Sequence, residues 1–316
     1  RNILPNGRYD YVRAKRFNDA YRSVGGKIDF GYTNVKWADQ FFISYTGSDD
    51  YNEIQHGTYM SIPYKGRFGT SESHVFGLTY LKEDLGIKGF DVNFNGSLSK
   101  RNEVVSDTVK WNYNWFGEKS LGLNGDPILR PGGAQQGAPT LNYINRNVAT
   151  FRAGASYEIS PNHRIFLGQS FYAIDRDQQD FMKSAVEREF IGTRDLQKSI
   201  TSFSYELDML QSKLLVEENG ATTRKEERSN SNTSMSGYGA AFSYRIIKHL
   251  TLLASAEKAV RMPSEGEIFG SPGDNIVENL GIRPEISNNL NLGFILGEFE
   301  HQSHAFSFSG TGFIRD

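Results

Sequence analysis

From Leu250 to Leu296 the chain alternates twice between apolar and polar residues. That alternation restricts the fold more than any other feature. Leu250, Leu252, Ala254 and Ala256 share one face of an extended segment, with Thr251, Ser255 and Glu257 on the other. Leu290, Leu292, Phe294 and Leu296 repeat the pattern against Asn289, Asn291 and Gly293. A period of two puts successive side chains on opposite faces, so these are two strands, each half apolar. Between them Val260–Ile286 is rich in Gly, Pro and charge. Compact sandwiches keep their connections short. A long polar excursion over two amphipathic strands suits the outer rim of a membrane β-barrel.

The pattern recurs along the chain. Phe90, Val92, Phe94 and Leu98 oppose Asp91, Asn93, Asn95 and Ser97, and Phe151, Ala153 and Ala155 oppose Arg152 and Ser156. Phe242 and Tyr244 oppose Ser243. Short connections at Thr33–Asp39, Glu83–Gly86, Pro161–His163, Asp208–Gln211, Lys248–His249 and Gly297–Ser303 take turns with long ones. The long ones are Gly47–Ser71, Arg101–Arg146, Asp175–Arg194, Glu218–Ser234 and Val260–Ile286. About twelve strands result, and no repeat of propeller length accompanies them. The fold expected is all-β: part of an antiparallel up-and-down transmembrane β-barrel, with short periplasmic turns and long extracellular loops. Phe90, Val92, Phe94, Phe151, Ala153, Ala155, Phe242, Tyr244, Leu290 and Leu292 are then expected to face lipid. Asn93, Asn95, Arg152, Ser243 and Asn291 are expected to face the interior. Glu218–Ser234, charged and rich in Ser and Asn, reads as the most mobile loop.

Composition agrees without deciding. Mean hydropathy is −0.52 and no apolar run is long enough for a transmembrane helix, but a barrel strand needs only ~10 residues with alternate ones apolar. Aromatic residues make up 13%, which suits strands and interfacial girdles. A net charge of −2 gives no case for nucleic acid, and the absence of cysteine removes disulfides and thiol chemistry.

The loop in the organising stretch carries a resemblance. Arg261-Met262-Pro263-Ser264, Glu267, Asn279 and Arg283-Pro284-Glu285-Ile286-Ser287 are followed by a strand beginning Asn289-Leu290. This is similar to the late-barrel signature of TonB-dependent outer-membrane receptors, commonly "FRAPS … NPDLKPE.S" and then "NLELGF". Val260, Met262, Leu280 and Gly281 depart from it. The resemblance implies a non-enzymatic transporter in a bacterial outer membrane, importing a ferric siderophore or similar scarce nutrient without a cofactor. It implies outer-membrane lipid around the barrel, and a TonB complex acting through a plug domain. No plug-like element occurs in residues 1–316, which read as part of one barrel domain with the plug and last strands elsewhere. A passive porin or channel, and an outer-membrane adhesin or enzyme, are the alternatives.

Candidate site residues follow from two sources. Trp111, Tyr113 and Trp115 alternate within the longest insertion, where they serve either as ligand contacts or as an upper aromatic girdle. Arg130, in the next tract, suits an anionic ligand. Arg261, Pro263, Glu267, Asn279, Pro284 and Glu285 form the family-like loop and are expected to be structural, with Arg261 and Glu285 pairing across its base. The acids of Asp175–Asp180 lack the glycine and the final glutamate of a calcium loop. The histidines show no metal-ligand spacing.

Overall fold

The computed structural model describes residues 2–3, 8–11, 13–57, 60, 62–129, 139–191, 194–209, 214–226, 232–269, 279, 281–301 and 304–316. Two short strands, β1 (Asn2–Ile3) and β2 (Tyr9–Asp10), pair with each other. The rest of the strands form one twelve-stranded antiparallel meander. It runs β3 (Tyr21–Val35), β4 (Ala38–Glu53), β5 (Phe68–Lys82), β6 (Phe90–Asp107), β7 (Thr140–Ser160) and β8 (His163–Asp180). It continues through β9 (Arg194–Met209), β10 (Leu214–Glu226), β11 (Asn232–Ile247), β12 (Leu250–Arg261), β13 (Glu285–His301) and β14 (His304–Arg315). Every strand pairs with its sequence neighbours, and β3 and β14 are the edges of an open sheet. Two helices lie in connections: α1 (Ala185–Ile191) after β8, and α2 (Glu265–Phe269) after β12.

Register assigns the faces. Phe30, Ile43, Leu78, Gly96, Phe151 and Phe171 lie directly opposite one another along one face. Phe242, Ala254, Leu292 and Gly312 do so further on. The opposite face carries Thr79, Asn95, Arg152 and Ser170 in one row, and Ala241, Ser255, Asn291 and Phe313 in another. Among the described residues nothing in the chain covers the apolar face: Phe30, Leu98, Leu167 and Leu292 are 63%, 62%, 55% and 60% exposed. So wide an uncovered apolar surface belongs against hydrocarbon. Polar groups on this face satisfy one another. The Thr201 hydroxyl donates to Gln169 Oε1 at 2.6 Å, and Gln169 Nε2 donates to Ser199 Oγ at 2.8 Å. Phe166 and Leu253 are apolar exceptions on the inner face, opposite Ser156 and Ser243.

Turn chemistry explains the short connections. Between β5 and β6, Asp84, Gly86 and Gly89 all have positive φ. The Asp84 carboxylate accepts the Gly89 N–H at 2.5 Å, and a side chain at Gly89 would press on Glu158. Aromatic rings collect beside the β3–β4 turn. Tyr32, Trp37 and Phe41 stack edge-on at 6.1 and 5.1 Å, and the Tyr80 hydroxyl donates to the Trp37 carbonyl at 2.9 Å. Such a belt suits a membrane–water boundary.

The strands are longer at the long-loop end than alternation indicates. β3 to β9 run for 15 to 21 residues, about 50–70 Å at ~3.4 Å per residue. A band of ~25 Å suffices to cross the apolar core, so the strands continue into water. There both faces are polar and the period-two signal disappears, while backbone pairing continues. Gly47–Ser71 therefore contracts to a connection over 54–67, Arg101–Arg146 to one over 108–139, and Asp175–Arg194 to one over 181–193. The expected mobile loop Glu218–Ser234 is corrected most. Residues through Glu226 belong to β10, and Asn232 opens β11, so five residues connect them. Residues 227–231 lie outside the described set.

The face assignment is open to a direct check. Nitroxide labels on single cysteines at 151 and 152, in liposomes, should report oxygen access at 151 and aqueous nickel-chelate access at 152. The reverse pattern would turn the wall inside out. Phe151→Arg should lower stability to urea unfolding by roughly 2–4 kcal/mol.

Candidate functional site

The family-like loop is built from capping chemistry. β12 ends at Arg261 and β13 begins at Glu285, and the two are register partners. Arg261 Nε and Nη2 donate to the two Glu285 oxygens at 2.8 and 3.0 Å, a bidentate pair closing the base of the loop. The same guanidinium reaches Glu267 at 2.7 and 3.2 Å. Ser264 is the N-cap of α2. Its N–H and hydroxyl donate to Glu267 Oε2 at 2.7 and 2.8 Å, and the Glu267 N–H returns to Ser264 Oγ at 3.4 Å. This is a capping box. Behind α2, the Asn279 N–H donates to the Ile268 carbonyl at 2.9 Å, and the Ile282 N–H to the Asn279 carbonyl at 3.2 Å. Pro284 then precedes β13, where no N–H is needed. Hydrogen bonds from Arg261, then from Ser264, hold the Glu267 carboxyl down to about 2. Glu285 is lowered by Arg261, and Arg261 is raised by both acids.

The loop places α2 across the polar face of distant strands. Ile268 and Phe269 are buried against Ile174 of β8 and Leu196 of β9, with Val148 and Tyr172 packed alongside. These four wall residues lie in the register of the polar, inner face. Fully burying an aliphatic or aromatic side chain contributes about 1.5–3 kcal/mol, so two such side chains suffice to seat a five-residue helix. Polar contacts orient it. Glu265 takes a hydrogen bond from Arg146 Nη2 and lies 3.6 Å from Arg176 Nη1. Lys198 Nζ donates to the carbonyl of Pro263, which is buried. Beside α2 the inner face holds a cavity of about 560 Å³, lined in part by Asn95, Thr150, Arg152, Ser170, Tyr172 and Lys198. Among the described residues Arg152 has no acid within ion-pair distance.

A second cluster forms among the loops beyond β4 and β6. Trp111, Tyr113 and Leu121 make isolated bridges to Leu129, Lys119 and Pro127, a narrow ribbon rather than a wall strand. Lys119 Nζ sits 4.2 Å from the Trp111 ring centroid, Lys65 Nζ 5.3 Å from that of Tyr113, and His56 packs on Trp115 at 6.1 Å. The ribbon docks on Phe17 and on Lys65, which donates to the Gly117 carbonyl at 3.0 Å. Asn18, 5% exposed, ties the leading segment to the β4–β5 loop. It donates to the Ile54 and Arg67 carbonyls and to Gln55, and accepts the Gly66 N–H. Arg130 lies outside the described residues.

Sequence reading missed Arg146, Arg176, Lys198, Glu265 and Asn18. Their signal is register or tertiary contact, which a single sequence does not carry. The capping pair Ser264–Glu267 carries an S-x-x-E signal that the sequence reading did not use. The acids of Asp175–Asp180 are strand residues of β8. Asp180 accepts the Leu141 and Met182 N–H groups, each at 3.0 Å. Among the described residues no three His, Asp or Glu side chains converge on a metal site.

No protein-family model and no curated protein matches the sequence. Solved structures do. The chain aligns over 99% of its length with 47% of the copper transporter OprC, at TM-score 0.63 and 11% identity. It aligns over 99% of its length with 47% of the FrpB iron transporter from Neisseria meningitidis (F5-1 variant), at 0.60 and 10%. It aligns over 93% with 46% of BauA, the ferric preacinetobactin receptor from Acinetobacter baumannii, at 0.53 and 10%. The chain thus spans about half the length of each. The likeness is one of fold: the twelve-stranded meander matches part of the β-barrel of these proteins. The names of these neighbours are those of transporters and receptors.

The Glu267 clamp has a defined pH window. Its folded pKa lies below the ordinary 4.5, so its contribution is complete above about 4.5 and is lost as pH falls through about 2. Amide exchange in α2 should accelerate over that range. Ser264→Ala should accelerate it at neutral pH too, by removing a cap worth about 1 kcal/mol. Exchange indifferent to Ser264→Ala would remove the capping box from the account.

Proposed function

We infer that this chain is part of the barrel wall of a TonB-dependent outer-membrane transporter, embedded in bacterial outer-membrane lipid. Residues 1–316 are read as one portion of a single barrel domain. The TonB complex would act through a plug domain elsewhere in the full protein. The observation that supports this best is the meander itself, with its long connections at one end and one of them folded over the inner face. The motif resemblance falls on that same connection, and its charged residues form the clamp. Both facts favour a gated receptor over an open pore. Nothing among the described residues assembles a nucleophile, base and acid at the rim, so an adhesin or enzyme is the weaker alternative.

The substrate is read as a ferric siderophore or similar chelate. Trp111, Tyr113 and Trp115 stand among Lys65, Lys119 and His56 in the outer loops. Rigid rings beside cations suit flat, electron-rich, anionic groups. Arg130 is proposed to join them from the following tract. In cells carrying the full-length receptor, uptake of labelled ferric chelate should stop when an uncoupler collapses the proton-motive force. Uptake that survives the uncoupler, with steady conductance in planar bilayers, would establish the passive pore instead. Replacing Trp111, Tyr113 and Trp115 by Ala should weaken chelate binding about tenfold at normal surface abundance. Unchanged binding would remove the rings from the ligand site.

A further inference from the structure

The outer face of β7 and β8 changes character above the apolar band. Ala149 lies opposite Ala173, and the next pairs on that face are Asn147 with Asp175, Asn145 with Asp177, and Tyr143 with Gln179. Asn147 also lies opposite Lys100 of β6, so a polar, charged belt closes the band. Beyond the belt, aromatic side chains return. Tyr143 and Phe181 meet edge-on at 5.3 Å with ring planes at 90°, and both are about half exposed. The Phe181 N–H donates to the Leu141 carbonyl at 2.9 Å, and Arg188 of α1 lies 5.5 Å from the Phe181 ring centroid. The two rings, with Leu141, Asn145, Asp177 and Gln179, line a cleft of about 530 Å³. Among the described residues the side chains of Asn145, Asp177 and Gln179 make no hydrogen bond or ion pair within the chain. An interfacial girdle does not account for this cleft, because girdle rings border the apolar band. Tyr143 is six residues beyond Ala149, about 20 Å along the strand and ~14–17 Å in height at a tilt of ~35–45°.

We propose that this cleft holds neutral sugars of the glycolipid in the outer leaflet around the barrel. Two perpendicular rings form a rigid apolar corner against which the C–H face of a pyranose packs at little entropic cost. Asn145 and Gln179 each carry donors and an acceptor, and Asp177 accepts only, so together they match a set of sugar hydroxyls. Charge selects among sugars. Asp177 is the one charged side chain lining the cleft. It repels phosphate and acidic sugars, and it takes charge-assisted hydrogen bonds from hydroxyl groups. Position selects the source. A ligand on its way through the barrel meets the inner face, whereas this cleft opens outward, above the apolar band, at the height of the lipid headgroups. The site depends only on a wall standing in an outer membrane, and not on energy coupling or on the imported ligand.

The test uses purified full-length receptor in detergent, exchanged with one of two glycolipids. One is lipopolysaccharide with a core of neutral hexoses, and the other is the same molecule cut back to lipid A and its acidic inner sugars. Native mass spectrometry counts the glycolipid retained after gel filtration. The hexose-bearing form should be retained severalfold better. Tyr143→Ala with Phe181→Ala should remove that advantage, lowering retention of the hexose-bearing form at least fivefold and leaving the truncated form unchanged. Tyr143→Phe with Phe181→Tyr, which keeps both rings, should preserve it. Heat-modifiable gel mobility confirms the folded barrel in each case. Equal retention of the two glycolipids by the unaltered receptor, or equal losses of both in the alanine pair, overturns the site. A lipid-free hexose oligosaccharide that binds as tightly as the whole glycolipid overturns the membrane source and makes a soluble glycan the occupant.

Discussion

Hydrocarbon offers no hydrogen-bond partners, and the whole architecture depends on that fact. Each N–H and C=O at membrane depth must be met by protein. A meander in which every strand pairs with its sequence neighbours does this without any long crossover. It also leaves the side chains free to alternate, apolar outward and polar inward, so one sequence pattern serves two solvents. The requirement ends at the membrane boundary, yet the strands do not. Their extension into water is held by the same ladders, and it places the long connections well clear of the lipid.

That geometry determines where specificity can reside. The lipid face is constrained to be apolar, and the inner face repeats Ser, Thr, Asn and Gly over long stretches. Distinctive chemistry therefore concentrates at the long-loop end. There the buried apolar cluster is small, four side chains from β8, β9 and α2. Its position matters more than its size, because it fastens a connection from β12 onto strands three to four places away in the sheet. The Arg261 clamp fixes the base of that connection, and Glu265 fixes the first turn of its helix.

The sequence was legible wherever one physical rule acted alone. Strand number and face assignment followed from period two, as Phe151 and Arg152 or Leu292 and Asn291 illustrate, and the side bearing long loops from the alternation of connection lengths. Strand ends were not legible, because a strand wet on both faces has no alternation to read. Thus Glu218–Glu226 resembles a loop by composition while pairing as β10. The motif residues Arg261, Glu267 and Glu285 could be expected to be structural, because short-range capping and pairing rules cover them. Arg146, Arg176 and Glu265 could not be joined, since 119 residues separate Arg146 from Glu265. A strand shifted by one residue would have put Asn147 in place of Arg146.

On the inner face Arg101 of β6, Arg146 of β7 and Arg176 of β8 lie opposite one another, and the height of this row on the wall matters. On the outer face the same register carries Lys100, Asn147, Asp175 and Asp195, none of them compatible with hydrocarbon. The row therefore lies above the apolar band, in contact with water and salt. Repulsion between its guanidinium groups is screened there, with a Debye length of about 8–10 Å at physiological ionic strength. The same charges at membrane depth would interact several times more strongly, as the effective dielectric falls from that of water toward ~20 or less. A sheet can thus tolerate this clustering only near its wet rim.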